Sequence, residues 1–313
     1  MRMQPLLIIL GPTASGKTQL ALEIAKERSA EIISADSRQI FKGMDIGTGK
    51  DLWAYKAAGV SFHLIDHYEA GEKYHVDQFK KDFYQALDTI SAKGKLPVLC
   101  GGTGMYIHSI LQNHIYTAVP VNQALRDQLA SLDKLSLQQM LEEYPYPLTV
   151  HADHSSLKRL IRAIEVADYL QYHDLPPANV QPVHPLVIGL ADDVVTRREK
   201  IAMRLDRRLE EGLIEEVEGL LAKGVSPEML TFYGLEYKFV TAYLQHEMDY
   251  QTFKERLYTA ICQFAKRQMT FFRKMEKDGV YIHWLDAGDL PEVLKKKALK
   301  LITQHFGLAY NLF

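Results

Sequence analysis

Residues 11 to 18 read Gly11-Pro12-Thr13-Ala14-Ser15-Gly16-Lys17-Thr18, a complete loop of the form GxxxxGK[ST]. Its chemistry is the capture of a di- or triphosphate. Unpaired backbone N–H groups and the dipole of a following helix face the phosphates, and Lys17 adds a positive charge for the terminal ones. The Thr18 hydroxyl can sit on Mg²⁺. The motif alone does not distinguish a nucleotide from another diphosphate.

Three further groups of residues have types suited to chemistry. Asp36 closes the run Ser34-Ala35-Asp36-Ser37-Arg38-Gln39 and is followed by Phe41 through Gly49. A carboxylate there can bind metal or accept a proton, and it can equally be a capping aspartate. Gly101-Gly102-Thr103-Gly104 lets backbone approach a ligand closely, because glycine has no Cβ. Arg197, Lys200, Arg204 and Arg208 recur at three- and four-residue steps and so share a helix face. That face reads as solvated surface for most of its members. One arginine reaching a pyrophosphate would suffice for chemistry, since a guanidinium grips two oxygens at once.

The elements that must position these groups follow from hydrophobic periodicity. Leu6 to Leu10 is a buried strand, and Leu20, Ala21, Ile24 and Ala25 form the apolar face of a helix behind it. Further strand-like runs are 31–35, 62–65, 96–100, 185–190 and 280–285, with helical patterns between most of them. Apolar strands alternating with helices give an α/β fold with a parallel sheet, in which ligands bind beyond the carboxyl ends of the strands. Asp36, Asp66 and the Gly101-Gly102-Thr103 turn lie at such ends. Between Pro120 and His184 no strand is evident. Ala124 to Leu141 reads as a helix, and Ser155 to Tyr172 reads as a basic helix ending at Leu175-Pro176-Pro177. The expected division is therefore a core first part (1–119), a helical insertion (120–184) and a mostly helical second part (185–313).

Composition bounds the function classes. The 313 residues are 47% hydrophobic and 24% charged, with a net charge of −2, so no global basic field argues for nucleic acid. Local patches remain possible at Lys158, Arg159 and Arg162, where a polyanion partner competes with plain surface. At Lys266-Arg267 and Arg273-Lys274, among Phe264, Phe271 and Phe272, amphipathic packing is the favoured reading. Two distant cysteines, Cys100 and Cys262, fit a reducing compartment without disulfides. No apolar stretch approaches the ~20 residues that span a bilayer. A cytoplasmic protein is expected, with no membrane association and no evident protein partner.

Taken together, these motifs resemble the bacterial tRNA dimethylallyltransferase (tRNA isopentenyltransferase) family over nearly the whole chain. The matching blocks are residues 11–18, the aspartate segment through Lys42-Gly43-Met44-Asp45-Ile46-Gly47-Thr48, His63-Leu64-Ile65-Asp66, Gly101-Gly102-Thr103, Arg162-Ala163-Ile164-Glu165-Val166 and Ala265-Lys266-Arg267-Gln268. The resemblance implies a P-loop NTPase-like parallel sheet flanked by helices, with a tRNA-binding helical insertion. It implies transfer of a dimethylallyl group from dimethylallyl diphosphate to N6 of adenosine 37 in the tRNA anticodon stem-loop, with Mg²⁺ as cofactor. Asp36 matches the general base, Arg204 the active-site arginine, and Thr13 a substrate-contacting threonine within the diphosphate loop Gly11–Thr18. Ser37, Arg38 and Gln39 fall with Asp36 in the segment that contacts the target nucleotide. Thr103, Arg126, and Lys158, Arg159, Leu160, Ile161 and Arg162 match tRNA-contacting positions.

The chain departs from the family at Gly234-Leu235-Glu236-Tyr237, where a Gly-Tyr pair with a following basic or polar residue is usual, and at Lys200, where many members have arginine. Two other enzyme readings compete: a phosphoryl-transferring kinase using Asp66 for metal, and a prenyltransferase acting on free adenylate. A nucleotide-gated RNA-binding protein is the non-enzyme alternative.

Overall fold

The computed structural model describes residues 3–112, 114–175 and 181–307. Its six strands are β1 (Gln4–Leu10), β2 (Glu31–Ser34), β3 (Phe62–His63), β4 (Pro97–Gly101), β5 (Val183–Ala191) and β6 (His283–Asp286). They form one sheet in the order β3-β2-β4-β1-β5-β6, and every pairing is parallel. β4 is inserted between β1 and β2, so the carboxyl ends of all three strands meet at the centre of the sheet. Leu6 to Leu10 are all fully buried, which explains their unbroken apolar run: helices cover a parallel sheet on both faces. The sheet and its arrangement are those of a P-loop NTPase-like fold.

Among the described residues, fourteen α-helices accompany the strands. The first four are α1 (Lys17–Glu27), α2 (Leu52–Ala58), α3 (Val76–Ala92) and α4 (Gly104–Leu111). Next come α5 (Gln123–Leu129), α6 (Lys134–Glu142), α7 (Tyr146–Thr149) and α8 (Leu157–Tyr172). The remainder are α9 (Val194–Glu210), α10 (Leu213–Ala222), α11 (Pro227–Tyr233), α12 (Leu235–Leu244), α13 (Tyr250–Lys277) and α14 (Pro291–Phe306). Capping sets several of their starts. Asp193 accepts the N–H groups of Val195 and Thr196 to begin α9, and Asp249 accepts that of Thr252 to begin α13. One apolar core packs the sheet residues Leu7, Ile9, Ile32 and Val98 with Leu20 and Ile24 of α1 and Ala298 and Ile302 of α14.

The chain divides into two compact units, 1–111 with 181–313, and 112–180. The second boundary falls before the expected 184 because β5 already begins at Val183, paired with Gln4 of β1, and the first falls at 112 and not 120, where α4 ends. Within 112–180, the expected single helix from Ala124 to Leu141 is two. It breaks at Asp133, whose carboxylate accepts the Ser136 N–H at 2.8 Å and restarts the chain as α6. Pro176 and Pro177 lie outside the described residues. The small unit has its own core of Leu129, Leu137, Leu141, Leu160, Ala163, Ile164 and Ala167. No helix among the described residues is long and apolar enough to cross a membrane.

Candidate active site

The phosphate loop joins β1 to α1, and α1 begins at Lys17 directly after Gly16, whose φ of +79° is left-handed. Gly11 is required for a different reason. A Cβ there would lie 2.6 Å from Ser15 Oγ and 2.7 Å from the Leu190 carbonyl oxygen. Lys17 is half-buried and donates to the Pro12 carbonyl at 3.3 Å. Burial lowers its pKa, while the neighbouring Asp36 pulls the other way.

Beyond the ends of β1, β2 and β4 lies a cavity of about 220 Å³. Thr13, Lys17, Thr18, Asp36, Ser37, Arg38, Gln39, Thr103 and Arg204 all line it, so nine residues selected from the sequence converge on one space. Asp36 Oδ1 accepts the Arg38 N–H at 2.9 Å, which fixes the carboxylate just past β2. The Ser37 N–H donates to Thr103 Oγ1, and the Thr103 N–H donates to the Ala35 carbonyl, each at 3.1 Å. That close approach requires Gly101, where a Cβ would sit 2.2 Å from the Ala35 oxygen. Gln39 accepts from Ser34 Oγ at 2.9 Å and donates to the Gly49 carbonyl at 3.0 Å. The Arg38 guanidinium lies 5.3 Å from the centre of the Phe232 ring.

Arg204 reaches from α9 to donate to Thr13 Oγ1. Burial, then repulsion from Arg208, pushes its pKa down to about 9, against the pull of Glu236, Asp51 and Asp36. It therefore stays cationic at neutral pH. The basic face of α9 is not the solvated stripe that its composition suggested. Arg197 and Lys200 pair with the buried Asp192, at 2.9 and 3.1 Å. Arg208 is 7% exposed and donates to the Gly47 carbonyl and to Glu236, each at 3.2 Å. Arg207, next to this face, is solvated surface, exposed and paired with Glu211 one turn away at 2.7 Å. Periodicity identified the face; it could not say that the face turns inward.

Several residues that shape the cavity were not singled out for a role. Glu216 of α10 accepts the N–H groups of Asp45, Ile46 and Gly47 at 2.7, 2.7 and 3.0 Å, and the Tyr237 hydroxyl at 2.8 Å. These bonds hold Gly47-Thr48-Gly49 as one wall of the cavity. A Cβ on Gly47 would strike the Tyr237 hydroxyl at 2.6 Å. Lys50, fully buried, ties the other end of this loop to Asp45 and Asp66. Asp66 is thereby held by a lysine and does not line this cavity, which does not favour it as the metal ligand of a kinase. Gln268 of α13 bridges Thr13 and Gly102. Phe264 lines the cavity mouth, 41% exposed and 5.9 Å from the Arg267 guanidinium, rather than packing inward like Phe272. The departing Gly234-Leu235-Glu236-Tyr237 segment lines the cavity as well.

The remaining sequence candidates belong to the helical unit. Leu160 is fully buried in its apolar core, so its side chain is withdrawn from any nucleic acid, and Ile161 packs against the same core. Glu165, also buried, accepts the Asn122 N–H at 2.6 Å and a bidentate Arg126 guanidinium at 2.9 and 2.8 Å, and pairs with Arg162. Arg162 further donates to the Tyr116 and Val119 carbonyls at 2.9 and 2.7 Å. Lys158 and Arg159 are exposed.

Comparison with known proteins bears on this arrangement. A family model described as IPP transferase matches residues 39–275. A tRNA dimethylallyltransferase 2 of Porphyromonas gingivalis is 50% identical over 284 residues, covering 90% of this chain and 94% of that protein. One of Bacteroides fragilis is 49% identical over 286 residues, covering 90% and 92%. The crystal structure of a tRNA isopentenylpyrophosphate transferase from Bacillus halodurans superimposes with a TM-score of 0.71 at 27% identity, covering 97% of this chain and 99% of its own.

Proposed function

The chain belongs to the IPP transferase family, and from that premise we propose that it moves a dimethylallyl group from dimethylallyl diphosphate to N6 of adenosine 37 in tRNA, releasing diphosphate. It is a prenyltransferase, and its relatives are named for the same transfer to tRNA. The observation that carries the finer reading is the convergence of a carboxylate, Asp36, with two cations, Lys17 and Arg204, on one cavity at the end of a phosphate loop.

The chemistry follows from that geometry. As the allylic C–O bond breaks, negative charge grows on the diphosphate and cationic character grows on the allyl carbon. The loop N–H groups, Lys17 and Arg204 stabilise the growing negative charge, and they are in place before it forms. The exocyclic amine of adenine is a weak nucleophile because its lone pair is delocalised into the ring. Its proton leaves as the C–N bond forms, and Asp36 accepts it. The adenine reaches the cavity only by leaving its stack, as base-modifying enzymes require. Arg38, Ser37, Gln39 and Thr103 border Asp36 and would hold the extruded nucleotide. Lys158 and Arg159 of the helical unit are exposed cations suited to tRNA phosphates. A cytoplasmic location belongs to the same proposal, since the acceptor is tRNA.

Mg²⁺ fits this donor set. No cluster of three or more acidic, histidine or cysteine ligands exists among the described residues, but Mg²⁺ commonly keeps waters and binds through substrate phosphates with few protein oxygens. Thr18 would hold it, and it would neutralise charge developing on the diphosphate.

The test is mass spectrometry of tRNA nucleosides after incubation with dimethylallyl diphosphate and Mg²⁺. Dimethylallyl-adenosine should appear among the nucleosides together with free diphosphate, and should be absent when the tRNA carries another base at position 37. Phosphoryl transfer from ATP to any acceptor, without prenylated nucleoside, would overturn the reading.

A further inference from the structure

Gln268 lies within α13 and is 8% exposed. Its Oε1 accepts the Thr13 N–H at 2.9 Å, and its Nε2 donates to the Gly102 carbonyl at 2.9 Å. The two partners fix the orientation of the amide, since one side needs an acceptor and the other a donor. Each end grips a different loop. Thr13 belongs to the phosphate loop and carries Arg204 on its hydroxyl. Gly102 precedes Thr103, which binds the backbone on both sides of Asp36 through Ala35 and Ser37. A hydrogen-bonded path thus runs from Arg204 through Thr13, Gln268 and the Gly102-Thr103 turn to the residues flanking Asp36. The backbone approaches this bridge closely: a Cβ on Gly102 would meet Nε2 at 2.4 Å.

We propose that Gln268 is a positioning residue that sets the separation between the diphosphate-gripping pair Thr13–Arg204 and the base Asp36. It thereby sets the approach of the N6 amine to the allylic carbon. The inference rests on the transfer reading above. Misplacement by ~1 Å costs on the order of 10²-fold in rate, so a strut of two hydrogen bonds between the donor and acceptor loops has leverage on turnover through the groups it positions.

The chemistry of the strut separates it from simple packing. Gln268→Met keeps the volume and removes both hydrogen bonds. Gln268→Glu keeps the acceptor for Thr13, but when ionised it sets a second lone-pair oxygen against the Gly102 carbonyl. Protonated, the introduced carboxyl donates again, and burial raises its pKa toward the neutral range.

The experiment compares single-turnover transfer by the wild type and both variants from about pH 8 to about pH 6, with donor and tRNA affinities and melting temperatures measured separately. Gln268→Met should lose about tenfold or more in rate at every pH, while both affinities stay within about threefold. Gln268→Glu should show a similar loss at the upper pH and recover, relative to wild type, toward the lower. A pH-independent ratio for Gln268→Glu, or wild-type turnover by Gln268→Met, would overturn the inference. An inactive wild type would instead overturn the transfer reading itself.

Discussion

Arg204 and Arg208 stand one helical turn apart on α9, the first half-buried and the second buried, yet they serve opposite ends. Arg204 reaches Thr13 at the phosphate loop, whereas Arg208 is held by Glu236 and the Gly47 carbonyl at 3.2 Å each. The Arg208–Glu236 pair spends the second cation on the cavity wall and leaves Arg204 for the diphosphate. Gly49 accommodates the arrangement, since a Cβ there would fall 1.9 Å from Arg208 Nη2.

The three arginines near this turn should therefore separate by phenotype. Arg204→Ala should cut kcat and raise the donor KM, because the contact exists in the ground state and strengthens in the transition state. Arg208→Ala should cost about 1–3 kcal/mol of stability by leaving Glu236 and the Gly47 carbonyl unpaired. Arg207→Ala should change stability by less than about 0.5 kcal/mol. Melting curves and steady-state kinetics on the three variants check this. A silent Arg208→Ala would mean that the wall does not depend on the pair.

Asp36 offers a sharper kinetic test. Asp36→Asn preserves the acceptor for the Arg38 N–H, and so the turn after β2, but it cannot take the amine proton. A kcat loss on the order of 10²-fold or more is expected, with tRNA affinity changed far less. Wild-type-like turnover in the variant would remove Asp36 from the role of base.

What the sequence made legible was local. The phosphate loop and its flanking strand and helix are contiguous, and Asp36 and Thr103 each follow a buried strand, so the rule for parallel sheets located them. Contacts between distant segments left no such trace. Glu216 meets residues 45–47 across about 170 positions, and no period or spacing in α10 marks it. Gln268 stood in a recognised block, but its partners Thr13 and Gly102 lie 255 and 166 positions away. Arg208 is buried where its spacing predicts surface, because helical spacing groups side chains on a face without saying which face is covered. Leu160 was drawn into the tRNA-contacting run by its neighbours, although its own apolar side chain belongs to a core.

Glu31 gives the acid limb of stability a specific origin. The carboxylate opens β2 at 1% exposure, contacted by His63 at 2.8 Å, Lys95 at 2.9 Å and Lys93 at 3.0 Å. Burial pushes its pKa up, but hydrogen bonds from Lys95, His63 and Lys93 outweigh burial and hold it down at about 2, against an ordinary 4.5. A pKa depressed on folding means stability that is complete above the unfolded value. It is lost as pH falls from about 4.5 through about 2. Glu31→Gln should lower the denaturation midpoint at neutral pH and flatten its fall across that window. Parallel midpoint-versus-pH curves for the two proteins would show that Glu31 is not responsible.

The helical unit separates cations that build it from cations available to RNA. Arg126 and Arg162 are committed to Glu165, whose carboxyl is raised by burial but lowered overall by those guanidiniums and the Asn122 N–H. Arg126→Ala and Arg162→Ala should each cost about 1–3 kcal/mol of stability, since a buried carboxylate loses charged hydrogen bonds. Lys158 and Arg159 sit exposed at the start of α8, and the Arg159 guanidinium donates to the exposed Asp153 and Ser155, at 2.9 and 2.7 Å. Their replacement by alanine should leave melting unchanged within about 0.5 kcal/mol. If each meets a tRNA phosphate, each loss should also flatten the slope of log K against log salt by roughly 0.7–0.9. Donor affinity should not move in any of the four. Measuring salt slope and melting temperature on the same proteins resolves the two classes. A slope unaltered by Lys158→Ala and Arg159→Ala would take the unit's phosphate contacts away from the start of α8.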